Sequence, residues 1–346
     1  MLNIYVESDQ SEYWLSKSGI NDYTLTRNLQ EWVDIKDCTS VAMIELINYD
    51  NGVLQQVEFL CANARHVLVF VHELIRDDWI RKFDLPNVTF FISGFLNYTL
   101  KHSEIYFYSY FFWSITDFYK SQPEFLQQLT NKNATHMFDV LLGRQKPHRD
   151  VIFQELDHHS NIVKYFPNSQ DQDIRDYSKN HFDWPSCVLL PEEPVTMLVH
   201  PVTVNGVIVS IGQIIPVDIY NQTHYSIAAE TQIENEFSFF TEKVAKPMLA
   251  RRLFVVASGQ YYLRNLRKLG FLTFDGFIDE SYDLIEDWNE RINQVCFVVN
   301  EISKLDPDIL QQEISSIVDH NYRHIMEFNW QEEMIKNIKT VLLQYK

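Results

Sequence analysis

The chain has 346 residues, 46% hydrophobic and 14% aromatic, with a formal net charge of −18. That length sets two domains as the prior, and that apolar content with no low-complexity tract excludes a disordered or linker-like protein. The acidity counts against broad contact with phosphate backbones, which disfavours nucleic acid as a partner.

Four scattered cysteines (Cys38, Cys61, Cys187, Cys296) have no paired spacing, so neither a zinc cluster nor a disulfide scaffold is expected. No apolar window approaches the ~20 residues of a membrane span. The opening MLNIYVESDQ lacks a basic n-region and an apolar core, so a cytoplasmic setting is expected.

In chain order, residues 2–6 read as an opening strand. Residues 41–47 and 66–72 (HVLVFVH) are further strands, the second a nearly continuous apolar run suited to a buried parallel position. His72-Glu73 stands where that strand ends. Residues 79–83 read as helix and 87–93 as strand. Residues 104–112 read as an aromatic strand, and 115–129 as helical structure with Pro123 inside it. Strands separated by helical intervals predict an α/β domain, with the linker at the polar TNKNATH, residues 130–136.

A β–loop–α–β opening follows: strand 137–142, a loop carrying Arg144, Lys146 and Arg149, helix 150–158 and strand 162–166. Asn205-Gly206 between β-branched runs predicts a hairpin. Residues 225–229 form an apolar run with Glu230 at its end. Thr241 then caps a helix, with Glu242 in its positive first turn; Pro247 should disturb that helix. Residues 253–257 read as strand, Ser258-Gly259-Gln260 as a turn, and 261–269 as a helix stopped by Gly270. Trp288, Ile292, Val295, Val299 and Ile302 fall at helical spacing, and residues 307–346 read as one or two more helices.

Charge is unevenly placed along this order. Residues 241–270 hold seven basic side chains (Lys243, Lys246, Arg251, Arg252, Arg264, Arg267, Lys268) against the one acid Glu242, a net +6 within an acidic chain. Such an island is a footprint for an anionic ligand. Strand, loop and helix N-terminus with cations nearby is how α/β proteins hold phosphates. The chain has no G-x-G-x-x-G, Walker A or G-x-S-x-G motif, so dinucleotide, P-loop and α/β-hydrolase readings lack their main support.

Residues 230–256, ETQIENEFSFFTEKVAKPMLARRLFVV, resemble the donor-binding segment of GT-B-fold glycosyltransferases with a fucosyltransferase-like C-terminal domain. The run T-E-K-x-x-K-P at 241–247, with L-G-F-x-T-F-x-x-x-I-D-E-S-Y-D at 269–283, is also similar to a phage-type glycosyltransferase group. The resemblance implies an α/β fold of two Rossmann-like domains facing a cleft, with C-terminal helices. Residues 1–132 would be the acceptor side, 133–306 the nucleotide-sugar domain, and 307–346 helices packing back.

It further implies a transferase using a UDP- or GDP-sugar, with no bound cofactor or metal. The acceptor is a glycan or, as runner-up, a hydroxymethylated DNA base. A non-catalytic nucleotide- or glycan-binding protein of the same fold is the other reading. Glu230 is assigned to the ribose hydroxyls, Thr241, Glu242, Lys243 and Lys246 to the donor, and Arg144 and Arg149 to the pyrophosphate. His72 and Glu73 are the base candidates on the acceptor side.

Each assignment has a plainer alternative. Glu230 can be a strand-end residue, Arg144 and Arg149 surface arginines, and Glu242 with Lys246 an i,i+4 ion pair. Arg251 and Arg252 read as helix-end decoration. Asp171–Asp173, Asp306–Asp308 and the His320/His324 pair are not read as metal sites.

Overall fold

The computed structural model describes residues 2–35, 40–46, 51–72, 77–130, 134–143, 145–156, 161–165, 188–189 and 201–346. The chain divides into two compact units, residues 1–113 with 329–346, and residues 114–328. The sequence reading instead places its boundaries at 132/133 and 306/307. Among the described residues, no helix is long and apolar enough to cross a membrane.

The first unit is built on a six-stranded parallel sheet in the order Tyr23–Thr26, Leu2–Val6, Ser40–Leu46, His66–Val71, Val88–Ile92, Glu104–Phe107. Leu2–Val6, His66–Val71 and Val88–Ile92 are buried along their whole length. Their largely apolar sequences match a sheet covered on both faces. From Leu2–Val6 the chain steps to Tyr23–Thr26 on one side, then crosses to Ser40–Leu46 on the other. The strand order therefore reverses between Leu2–Val6 and Ser40–Leu46. The last helix, Trp330–Leu343, gives Met334, Ile338, Val341 and Leu342 to this unit's core, beside Trp14, Leu15 and Phe70.

Two details of this region differ from the sequence reading. The strand expected over 104–112 stops at Phe107, and a helix spans Tyr110–Ser121. Ser109 marks the change, because its carbonyl accepts the first helical bond from the amide of Trp113 at 2.8 Å. Pro123 does not sit inside a helix. It occupies the first turn of a new one, Pro123–Leu126, where a missing N–H costs nothing.

The second unit carries a four-stranded parallel sheet in the order Phe254–Ala257, Thr223–Ala229, His136–Leu141, Ile162–Tyr165. The first crossover leaves His136–Leu141 through helix Pro147–Glu155 toward Ile162–Tyr165. Helix Glu242–Leu249 carries the other from Thr223–Ala229 toward Phe254–Ala257. Its strand order thus reverses between His136–Leu141 and Thr223–Ala229, the two central strands.

The second unit also holds an antiparallel set containing the hairpin Pro201–Val204 and Val207–Ser210. Its turn is Asn205-Gly206, with φ of 48° and 83°. Positive φ at both positions is what a two-residue type I′ hairpin requires. Helix Trp288–Ile302 packs against Pro147–Glu155, and helix Ser315–Glu327 against Glu242–Leu249.

Candidate functional site

In an open parallel sheet, ligands bind outside the carboxyl ends of the strands where the strand order reverses, because adjacent loops there part in opposite directions. The second unit has a cavity of about 310 Å³ at this place. Gln145 to His148, following His136–Leu141, line one part of it. Thr231, Ile233 and Glu234, following Thr223–Ala229, line another, and Trp288 completes the lining.

Glu230 ends the central strand but is fully enclosed. Its carboxylate accepts from Thr241 Oγ1 at 2.7 Å and from Tyr262 Oη at 2.9 Å. Burial pushes this carboxyl up from its ordinary value, with Lys243 opposing the shift and Glu242 adding to it. The same Thr241 hydroxyl accepts the amide of Lys243 at 3.3 Å and so caps helix Glu242–Leu249. Glu230 and Thr241 are therefore one device joining a strand end to a helix start. As placed, the carboxylate is engaged inside the protein rather than presented to the cavity.

Lys243 pairs with Glu242 at 2.9 Å. Burial works against both charges. Glu242 and Glu230 nevertheless hold the Lys243 ammonium above its ordinary value, and Lys243 with Lys246 holds the Glu242 carboxyl below its own. Lys246 turns elsewhere and donates to the carbonyl of Gly212 at 2.7 Å; burial pulls its pKa down to about 8. The i,i+4 alternative for Glu242 and Lys246 gives way to an adjacent pair, because the two lysines point to different acceptors.

Arg149 is 3% exposed, and its Nη2 donates to the carbonyls of Ala229 and Glu230 at 3.1 and 3.3 Å. It fastens the Pro147–Glu155 helix to the strand end. His148 donates from Nε2 to the same Glu230 carbonyl at 3.0 Å. Burial, with Arg149 and Lys146 nearby, pulls His148 down to about 4, so it is neutral at ordinary pH and adds no positive charge to the cavity. Lys146 supplies the cation of the cavity lining, at the N-cap of a helix whose first turn has no side-chain cap. Arg144 lies outside the described residues.

In the first unit, His72 follows the buried strand His66–Val71 and is itself buried. Its Nε2 lies 3.0 Å from Glu45 Oε2, and the ring packs edge-on against Tyr108 and Tyr110. Ser8, the N-cap of helix Asp9–Lys17, and Ser11 donate hydroxyls to the other oxygen of Glu45. Burial raises this carboxyl, but the hydrogen bonds from His72, Ser8 and Ser11 and the His72 charge outweigh burial and hold it below the usual range. Glu45 is thus a carboxylate and can only accept. Because Nε2 donates to that carboxylate, the ring nitrogen of His72 that can take a proton is Nδ1. Glu73 lies outside the described residues.

Of the nine residues named from sequence, the second unit gathers Arg149, Glu230, Thr241, Glu242 and Lys243 into one cluster, the first three buried and the last two partly exposed. Lys246 stands apart at Gly212, and His72 belongs to the other unit. The cavity residues Trp288, Glu234 and Lys146 and the partners Glu45 and Tyr262 were not assigned to the site from sequence. For Trp288 the only signal was membership of an amphipathic helix.

The remaining sequence candidates have local explanations. Asp306 caps helix Pro307–Glu313 by accepting the amide of Asp308 at 2.9 Å. His320 and His324 meet the carbonyls of Gly270 and Leu269, closing the end of helix Tyr262–Lys268. Asp171 and Asp173 lie outside the described residues. No protein-family model matches this chain, and no curated protein matches it either.

Proposed function

We propose that the chain is a nucleotide-sugar-dependent glycosyltransferase whose donor nucleotide occupies the cavity of the second unit. The observation that carries this reading is the cavity's position, at the carboxyl edge of a parallel sheet where the strand order reverses. Its volume is at the lower end of the range for small-ligand sites. The resemblance of residues 230–256 to donor-binding segments supports the same assignment. On this reading the two parallel-sheet units are the halves of a GT-B-type enzyme, the first serving the acceptor.

In an inverting transfer, a base takes the proton of the acceptor hydroxyl while its oxygen bonds to the anomeric carbon. The bond from that carbon to the diphosphate breaks, and the leaving oxygen takes the electron pair. Nδ1 of His72, oriented by Glu45, is the base this reading assigns. Lys146 and the start of helix Pro147–Glu155 balance the departing negative charge.

A thermal-shift series with UDP, GDP, CMP, ADP and dTDP tests the donor site. A nucleotide at ~100 times its dissociation constant adds about 2.7 kcal/mol and raises the melting temperature measurably. One or two responding bases support the reading and name the donor class. No response at millimolar nucleotide overturns it. Binding without transfer or hydrolysis of any matching nucleotide-sugar points to the non-catalytic binding protein.

A further inference from the structure

The first sheet has its own reversal of strand order, between Leu2–Val6 and Ser40–Leu46, and His72 lies at the carboxyl edge of that sheet. From His72 a row of aromatic side chains leads outward. The Tyr110 ring packs edge-on against His72, with centroids 4.9 Å apart. Trp113, about one turn along helix Tyr110–Ser121, follows Tyr110 at 6.1 Å. Tyr13 of helix Asp9–Lys17 lies nearly parallel to Trp113 at 6.4 Å. Tyr110 and Trp113 are partly buried against the core and Tyr13 is 36% exposed, so the row runs from the interior to the surface. Gln331 donates from Nε2 to the Tyr13 hydroxyl at 2.6 Å and holds the outermost ring in place.

The charges beside this row are mostly acidic. Glu7 accepts the amide of Glu45 at 3.2 Å, and Glu45 is the partner of His72. Asp9 and Glu12 stand in the first turn of the helix that carries Tyr13. Among the described residues, the cations in contact with this group are Arg27, paired with Asp9 and Glu12, and Lys17, 5.5 Å from the Tyr13 ring. Single-stranded nucleic acid is held by stacking rings and a positively charged groove together, and here the rings come without the groove. A neutral sugar ring lays its C–H face on an aromatic face and carries no charge for the carboxyl groups to repel. We infer that the row is the binding surface of an uncharged oligosaccharide, which lies along Tyr13, Trp113 and Tyr110 with its terminal hydroxyl at His72. Because the rings follow one another at 6.1 and 6.4 Å, a ligand touching all three is a chain rather than a single sugar. The inference rests on the reading of the first unit as the acceptor side, and it narrows that reading by setting the DNA base aside.

An array of immobilised neutral, uronic-acid-containing and sulfated oligosaccharides, with oligo(dT) as the nucleic acid, tests this on the full chain. The expected result is retention of neutral chains alone. Titration of the best neutral chain, followed by tryptophan fluorescence, should give a tighter fit than its own monosaccharide and no weakening on added salt. Tyr13→Ala and Trp113→Ala should each weaken the chain roughly tenfold, with Trp113→Phe recovering part of the loss. Phe59→Ala, which removes an exposed ring of the same unit on helix Asn51–Asn63, should change nothing. Trp113 packs against Trp14, so a melting curve accompanies that variant, and Tyr13→Ala tests the row at an exposed ring.

Retention of oligo(dT) or anionic glycans alone, lost steeply on added salt, overturns the inference and returns the acceptor to the nucleic-acid class. A neutral chain that Tyr13→Ala and Trp113→Ala bind as tightly as the wild type overturns the row as its surface. An array that retains nothing also overturns the inference. The nucleotide thermal-shift series reads the other unit, so a failure here and a failure of the glycosyltransferase reading are separate results.

Discussion

Arg252 shows how far the charges of this chain are turned inward. Its guanidinium is buried, donates to the carbonyls of Tyr220, Thr223, Tyr225 and His224, and lies 3.3 Å from Asp139 Oδ2. Asp139 also accepts the hydroxyls of Thr223 and Ser226. Removing one partner of such a set leaves a charge and several carbonyls unsatisfied in the interior. Arg252→Met should therefore destabilise the protein by about 3–5 kcal/mol, read from the urea midpoint. Asp139→Asn combined with Arg252→Met should cost less than the sum of the single changes, because it removes the stranded carboxylate. Additive effects would mean that the pair does not interact.

The other arginines of residues 241–270 are exposed but locally partnered. Arg251 covers the Tyr322 ring and pairs with Asp319, Arg264 covers Tyr261, and Arg267 pairs with Glu280. The net +6 of residues 241–270 was legible in the sequence; its dispersal was not. Asp319, Tyr322 and Glu280 lie outside residues 241–270, and counting charge along a segment cannot see tertiary pairing.

At the scale of elements, much more could be read. Strands such as HVLVFV announce themselves because burial on both faces favours a nearly continuous apolar run. Asn205-Gly206 announces its hairpin because few residue pairs tolerate two positive φ angles. Thr241 was readable as a cap, although its bond to Glu230 was not. Helix Asp9–Lys17 escaped notice because only Ser11, Trp14 and Leu15 are buried in an otherwise polar stretch.

Gly259 was read as part of a turn, but its space is what matters. Gly259→Ala would drive a methyl group into the Glu234 backbone, forcing the loop that lines the cavity to move. We expect a loss of about 1–3 kcal/mol and a nucleotide affinity reduced beyond what stability explains. Gly206→Ala is the control. It meets no neighbour but forces alanine to φ +83°, costing roughly 1–2 kcal/mol, and nucleotide affinity should be unchanged. If Gly259→Ala binds as the wild type does, the loop is not the cavity's rigid wall.

Across the whole molecule, the response to alkali follows from where the tyrosines sit. Burial raises Tyr108, Tyr119, Tyr220, Tyr225, Tyr262 and Tyr282 above the ordinary phenol value. Several of their hydroxyls are structural. Tyr262 bonds to Glu230, Tyr225 to the carbonyl of Pro307, and Tyr119 accepts the amide of Ile215.

A folded pKa above the unfolded one means that the fold favours the protonated phenol. The associated stability is complete below about pH 10 and is lost as pH rises from there, at about 1.4 kcal/mol per pH unit for each group. Six such groups together act on the scale of a whole folding free energy, roughly 5–15 kcal/mol. Lys246 acts in the opposite sense. Its pKa falls to about 8 in the fold, so the unfolded chain binds the extra proton and stability rises between pH 8 and about 10.

The expected profile is a shallow gain above pH 8 that the buried thiols of Cys61 and Cys296, pushed up to about 11 and about 12, cancel from about pH 9, followed by one cooperative collapse. In that collapse, tyrosinate absorbance and loss of circular dichroism should coincide. Lys246→Met should flatten the gain without moving the collapse. Free titration of all tyrosines near pH 10, with circular dichroism intact, would show that these phenols are in contact with water and would remove the basis for their structural roles.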